Sequence, residues 1–253
     1  MGSLAGIAIF VWLHDALHPD AGTATANARA LQSAERVLGV GVEPAVNHWL
    51  AGHSFLGQAA VLYYRLYYLP VLGVLGWVVF RRGALYPRIR WALIVTALVA
   101  LLVFWAWPVS PPRFAMPGIV DVVAEHDVGG NRASRDLGNG QNHFSAFPSL
   151  HVAWSVLAAW VAWSALGARR PRLAILPWLF PIGMVAVVIG TGNHYLLDVL
   201  GSAALVAVAI ATASVLEAVE KRRLVRRRRA ARPPGPSSPP GGGDDGSGAP
   251  RRR

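Results

Sequence analysis

GNHYLLDVLGSAALVAVAIATA, residues 192–213, is apolar almost throughout: between Tyr195 and Ala213 only Asp198, Ser202 and Thr212 are polar. About 20 apolar residues in a row is what a helix needs to cross a hydrocarbon core. The stretch therefore reads as a membrane span over about 195–216, with an aspartate inside it. Burying an acid there costs about 2.5–3.5 kcal/mol on insertion scales, so an intramembrane Asp marks function by default. His194 lies four residues before Asp198, on the same helical face.

Working outward, similar runs occupy about 55–80, 91–107, 149–167 and 173–191, and the shorter Leu4–Leu17 reads as a first span. Of the 253 residues 54% are hydrophobic and 15% charged, against about 25% charged in soluble domains. The fold class expected is all-α: a polytopic membrane helical bundle of about six transmembrane helices. Trp105, Trp107, Trp160, Trp163 and Trp178 fall near span ends, where aromatic belts form. Residues 27–52 read as an interfacial amphipathic helix, with Ala28, Leu31, Ala34, Val37 and Leu38 at helical spacing and Arg29, Glu35 and Arg36 between them. No cysteine is present, which excludes disulfides, thiolate metal sites and a Cys nucleophile.

The net charge of +11 is concentrated at the C-terminus, where residues 221–253 carry +9 and the preceding 220 only +2. Three organisational units follow: an N-terminal span and short connection (1–26), a membrane-embedded body (27–220), and a basic, Pro/Gly-rich tail (221–253) expected to be disordered. The tail's arginines have no interleaved aromatics, so no nucleic-acid partner is expected. Anionic lipid headgroups suit the tail's charge, and a stop-transfer anchor accounts for it equally well. In a six-span arrangement Arg81, Arg82, Arg88 and Arg90 share one side with Arg169, Arg170, Arg172 and the run from Lys221 to Arg229. The positive-inside rule makes that side cytoplasmic. The other side receives the connection from Pro108 to Pro148, with Asp121, Glu125, Asp127 and Asp136, and the turn at Gly190–His194. Forty residues between spans suggests a lid or a site.

Three polar segments fall on that second face: Pro108 to Arg113, Phe147 to His151, and Gly192 to Asp198. A carboxylate at Asp198 accepting from one imidazole nitrogen of His194 leaves the other unprotonated, a nucleophile for phosphorus. His151, in the first turn of its helix, is placed to protonate a leaving alkoxide and deprotonate the acceptor. Ser149, with the free N–H groups of that helix start, suits an anion, and Arg113 adds a guanidinium to a phosphoryl group. Arg65, within the span that holds Tyr63 to Tyr68, is a further phosphate candidate. Its competing reading is a buried pair with Glu43 or Asp198, or snorkelling. Asn142 and Asn193 are possible polar lining. A metal held by His151, His194 and Asp198 has no support from a His-x-x-x-His or Glu-x-x-His pair among those residues.

Pro148-Ser-Leu-His151, followed about forty residues later by Gly192-Asn-His-Tyr-Leu-Leu-Asp198, resembles the phosphatidic acid phosphatase type 2 superfamily over roughly 27–220. More narrowly it resembles the branch of inositol phosphorylceramide synthases and related actinobacterial proteins. The resemblance implies His194 as nucleophile, Asp198 as its orienting carboxylate, His151 as acid/base and Arg113 as the end of the first motif. It departs from the phosphatase pattern at Ala106, where that pattern has Lys, at Leu150, where it has Gly, and at Val187 and Val188, where it has Ser-Arg. These losses tilt the expectation towards headgroup transferases and leave a charge deficit at the phosphate.

The function expected is an inositolphosphotransferase-like lipid phosphotransferase working through a phosphohistidine, on a phospholipid or polyprenyl-phosphate donor. It would need no metal or organic cofactor, and would sit in a bacterial plasma membrane with its site on the extracytoplasmic face. A lipid phosphate phosphatase differs only in taking water as acceptor; a non-catalytic membrane scaffold is the reading from another class. A transporter would want polar residues through the bundle, which the span after Tyr195 lacks.

Overall fold

A computed structural model describes residues 2–126, 141–167 and 170–230. Asp127, Asp136, Arg169 and the tail from residue 231 lie outside the described residues. The order is α1 (Gly2–Asp15), α2 (Ala21–Leu38), α3 (Glu43–Ala51), α4 (Ser54–Leu66), α5 (Tyr68–Arg81), α6 (Tyr86–Ala106), α7 (Pro112–Ala115), α8 (Val122–Glu125), α9 (Leu150–Leu166), α10 (Leu179–Gly190) and α11 (Leu196–Ala230). Short 3-10 stretches precede α6 and α10. Four continuous stretches are long and apolar enough to cross a membrane: Ser54–Arg81, Gly83–Ala106, Leu173–Gly190 and Leu196–Arg227; Leu150–Leu166 is apolar but shorter. The expected all-α membrane bundle is what forms, with α1 a 14-residue helix.

One expectation is corrected. The stretch at 27–52 is two helices, separated where Gly39 takes φ +68° and caps α2, a left-handed conformation that glycine adopts without penalty. The buried stripe of α2 is Ala24, Ala28, Leu31 and Glu35, whereas Ala34, Val37 and Leu38 point outward. An apolar-only reading put the stripe in the wrong register, because Glu35 belongs to it. The expected span over 55–80 forms as Ser54–Arg81, carried by α4 and α5, which meet at a break at Tyr67. Pro70 has no N–H for the Leu66 carbonyl, and such a loss breaks or bends a helix.

Helix α9 is the packing centre. Its buried positions include Ala153, Ala158, Ala159, Ala162 and Ala165, small residues that let helices approach closely without a hydrophobic driving force. One side meets Val78 and Ile89 from α5 and α6; another meets Met184, Val188 and Ile189 of α10; a third meets Phe104 of α6 and Leu205 and Val206 of α11.

The connection after α6 folds back over the bundle end. Val109 N–H donates to the Phe144 carbonyl (2.9 Å) and Ala146 N–H to the Val109 carbonyl (3.1 Å), a parallel β-bridge between Val109 and Ser145. Asn47 fastens the same connection: its amide nitrogen donates to the carbonyls of Val120 and Gly190 (2.9 Å each) and its oxygen accepts from Val120 N–H (2.8 Å). Residues Met1–Glu217 form one compact unit and Ala218–Arg253 another. The described part of the second is helical, with exposed Arg222, Arg223, Arg226 and Arg227.

Candidate active site

At the bundle end lies a cavity of about 670 Å³ whose walls include His194, His151, Arg113, Arg65, Asn142 and Asn193. Three polar segments far apart in sequence meet there, together with the arginine of α4. Each is positioned by local chemistry. Gly192 takes φ +73° and a Cβ there would stand 2.8 Å from Ile119, so the turn before His194 needs glycine. Arg113 N–H donates to the Gly192 carbonyl (2.9 Å), tying α7 to that turn.

His194 is buried, and its Nδ1 lies 2.8 Å from the Ala146 carbonyl and 3.2 Å from Asp198 Oδ2. Both neighbours are acceptors, so the ring proton resides on Nδ1 and Nε2 carries a lone pair. Burial pushes the His194 pKa down to about 3, aided by the Arg113 charge and opposed by the Ala146 hydrogen bond. The ring is therefore neutral at physiological pH. Asp198 Oδ2 also accepts from Tyr195 N–H (2.8 Å), which fixes the carboxylate that steers the ring.

His151 stands between two aromatic rings, stacked on Tyr64 at 4.1 Å and tilted against Tyr67 at 4.4 Å, with its ring 6.1 Å from that of His194. The break at Tyr67 thus has a use: it sets Tyr64, Arg65 and Tyr67 beside the site. Arg113 has its Cζ 4.5 Å from the Phe114 ring and its Nε 3.8 Å from Asp121 Oδ2.

Ser149 is placed differently from the sequence expectation. It is fully buried, and its hydroxyl caps α9 by accepting from Val152 N–H (3.4 Å). Its N–H points at the Asp198 carbonyl (3.5 Å), and it is not among the residues lining the cavity. Ser202 Oγ bridges the carbonyls of Ser149 and Asp198 (2.9 and 2.7 Å). Ser149 therefore joins α9, which carries His151, to α11, which carries Asp198.

Sequence reasoning missed two features. Glu43 Oε1 accepts from Leu196 N–H (2.8 Å) and Glu35 Oε1 from Leu197 N–H (2.9 Å). With Asp198 on Tyr195, three buried carboxyl groups take the successive orphan N–H groups at the start of α11. Glu35 shares the helical spacing of Ala24, Ala28 and Leu31, but an acid in that row reads as the polar face until its partner is known. The second feature is α1, whose Phe10, His14 and Asp15 line the cavity.

The PAP2 superfamily model matches residues 29–212, most of the chain and all of these polar segments. The chain belongs to the PAP2 superfamily. That membership and the apolar helices make it an integral membrane member of a superfamily of lipid-phosphate enzymes. It is 27% identical over 170 residues to a phosphoinositol dihydroceramide synthase of Bacteroides thetaiotaomicron, covering 62% of this chain and 53% of that protein. The chain thus spans about half the length of this relative. No solved structure matches.

Proposed function

We propose that the chain is a lipid phosphotransferase in which His194 forms a phosphohistidine, and that water serves as a weaker acceptor. The observation that carries this reading is the His194 ring: Nδ1 is committed to Ala146 and Asp198, and the ring lines a cavity shared with His151 and Arg113. Nε2 attacks the phosphorus of a lipid phosphate ester. The P–O bond to the leaving alcohol breaks, and His151 gives that oxygen its proton. An incoming alcohol then yields its proton to His151, its oxygen bonds to phosphorus, and the N–P bond breaks.

Arg113 and Arg65 stand where the phosphoryl charge would develop, which answers the deficit left by Ala106, Val187 and Val188. Asp198 stabilises the imidazolium character of the intermediate. The reaction needs no metal in this scheme, so activity is expected to survive a chelator. The relative's name, a synthase that handles a phosphoinositol group, favours a transferase with a polyol headgroup on this chain too. The site faces the extracytoplasmic side, and the basic helix end meets anionic headgroups at the cytoplasmic surface.

The test is incubation of purified protein with radiolabelled lipid phosphates, with and without added alcohols. A new phosphate ester of the added alcohol, a diester from a phosphodiester donor and a monoester from a monoester donor, and an acid-labile phosphoprotein are expected for the wild type and neither for His194→Ala. Equal turnover by both proteins on every donor would sink the proposal.

A further inference from the structure

The wall of the cavity opposite the His194–Asp198 pair is built by α1, which lies outside the 29–212 region that matches the superfamily. His14 is held edge-on to Phe104 at 5.6 Å and stacked near Phe10 at 6.2 Å. Its Nδ1 lies 2.8 Å from Asp15 Oδ1 and its Nε2 3.0 Å from Ser145 Oγ. A carboxylate on Nδ1 puts the proton there, so Nε2 accepts from the serine hydroxyl. Ser145 directly precedes Ala146, the residue that holds the His194 ring. The β-bridge to Val109 therefore fixes both contacts from one rigid strip.

Asn142 supplies an independent observation. Its Oδ1 accepts from Phe144 N–H (3.0 Å), which orients the amide. Its Nδ2 is then a donor on the cavity wall, in a side chain more than nine-tenths buried, with no hydrogen-bond partner among the described residues. A buried donor left unsatisfied is costly, and a bound oxygen would satisfy it. The wall thus offers a free donor, a serine oxygen, and an aspartate that accepts hydroxyl protons and repels anions.

We propose that His14, Asp15, Asn142 and Ser145 form a subsite for a neutral polyhydroxyl group held beside the reacting phosphorus. This rests on the phosphotransfer reading, and two sources share the chemistry: the donor's polyol headgroup or a free polyol acceptor. The subsite selects against anionic groups, because the Asp15 carboxylate faces the same space as the incoming ligand.

The test compares purified wild-type, Asp15→Asn and Asn142→Leu proteins on phosphatidylinositol and on phosphatidic acid, and on phosphatidic acid with free inositol as acceptor. The wild type is expected to prefer the hydroxylated substrate. The variants lower that preference, measured as a ratio of kcat/KM values, by about tenfold, the worth of a hydrogen bond. Asp15→Asn also narrows the gap between inositol and inositol phosphate as acceptors, which a purely structural role would not do. If the ratio falls for the two donors, the headgroup occupies the subsite; if only the KM for free inositol rises, the acceptor does. A wild type that turns over lipid phosphates without regard to hydroxyls, or ratios unchanged within twofold in both variants, overturns the subsite and leaves the phosphotransfer reading standing. A wild type without turnover on any donor overturns the phosphotransfer reading itself.

Discussion

In the proposed reaction Asp198 acts on the His194 ring without touching phosphorus. Asp198→Asn keeps the volume but can present an N–H where Nδ1–H needs an acceptor. The expected result is a fall in kcat of about a thousandfold or more with KM little changed, by the logic of orienting carboxylates; steady-state kinetics on a labelled donor checks it. Glu35 acts one step further out. Burial raises its pKa to about 7, with the Glu43 and Asp198 charges adding and the Leu197 hydrogen bond opposing. The folded protein then binds this proton more tightly than the unfolded chain, whose Glu titrates near its ordinary value of 4.5. This contribution to stability is full below pH 4.5 and is lost as pH rises towards 7. Glu35→Gln keeps the acceptor for Leu197 N–H and removes the titration. Its thermal midpoint in detergent should vary less between pH 5 and pH 8 than that of the wild type; parallel curves would show that Glu35 is not the group concerned.

His194, Asp198 and His151 were legible because each is a polar residue where the apolar pattern calls for none. Glu35, Asp15 and Ser145 were not, because their meaning depends on which elements end up opposite them. Ser149 was misread for the opposite reason. A serine before a helix satisfies an N-cap or an anion equally well on paper, and only the fold shows its hydroxyl turned to Val152.

At the scale of elements, the break between α4 and α5 and the close approach of α11 to the preceding connection do most to shape the site. Pro70→Ala restores an N–H for the Leu66 carbonyl and favours one straight helix. The protein is expected to stay folded while Tyr64 and Tyr67 shift against His151, and an ångström of displacement costs as much as about a hundredfold in rate. Kinetics alongside a melting curve separates the two effects. Gly201 lies against Phe147: a Cβ at that position would fall 2.4 Å from the ring. Gly201→Ala must push the ring, and with it the segment entering α9, so a loss of about 1–3 kcal/mol in stability is expected from chemical denaturation. The helical spans were legible from hydropathy, since length and apolarity are local properties. The α2 register was not, because a buried acid looks polar until its partner is known.

For the whole molecule, the absence of cysteine makes orientation directly measurable. Glu125→Cys lies on α8, over the site, and Ala84→Cys in the short 3-10 stretch between α5 and α6; both positions are exposed. In spheroplasts a membrane-impermeant maleimide should label the first and spare the second until the membrane is opened. The reverse pattern would place the site on the cytoplasmic side.

Asn47 ties the connection over the cavity to the last residue of α10, four positions before His194. A lipid entering from the side and lifting that connection must either break these bonds or carry the end of α10 with it. In the proposed reaction, occupancy of the cavity and alignment of His194 are therefore mechanically linked, so a loosely fitting substrate is expected to lose rate as well as affinity.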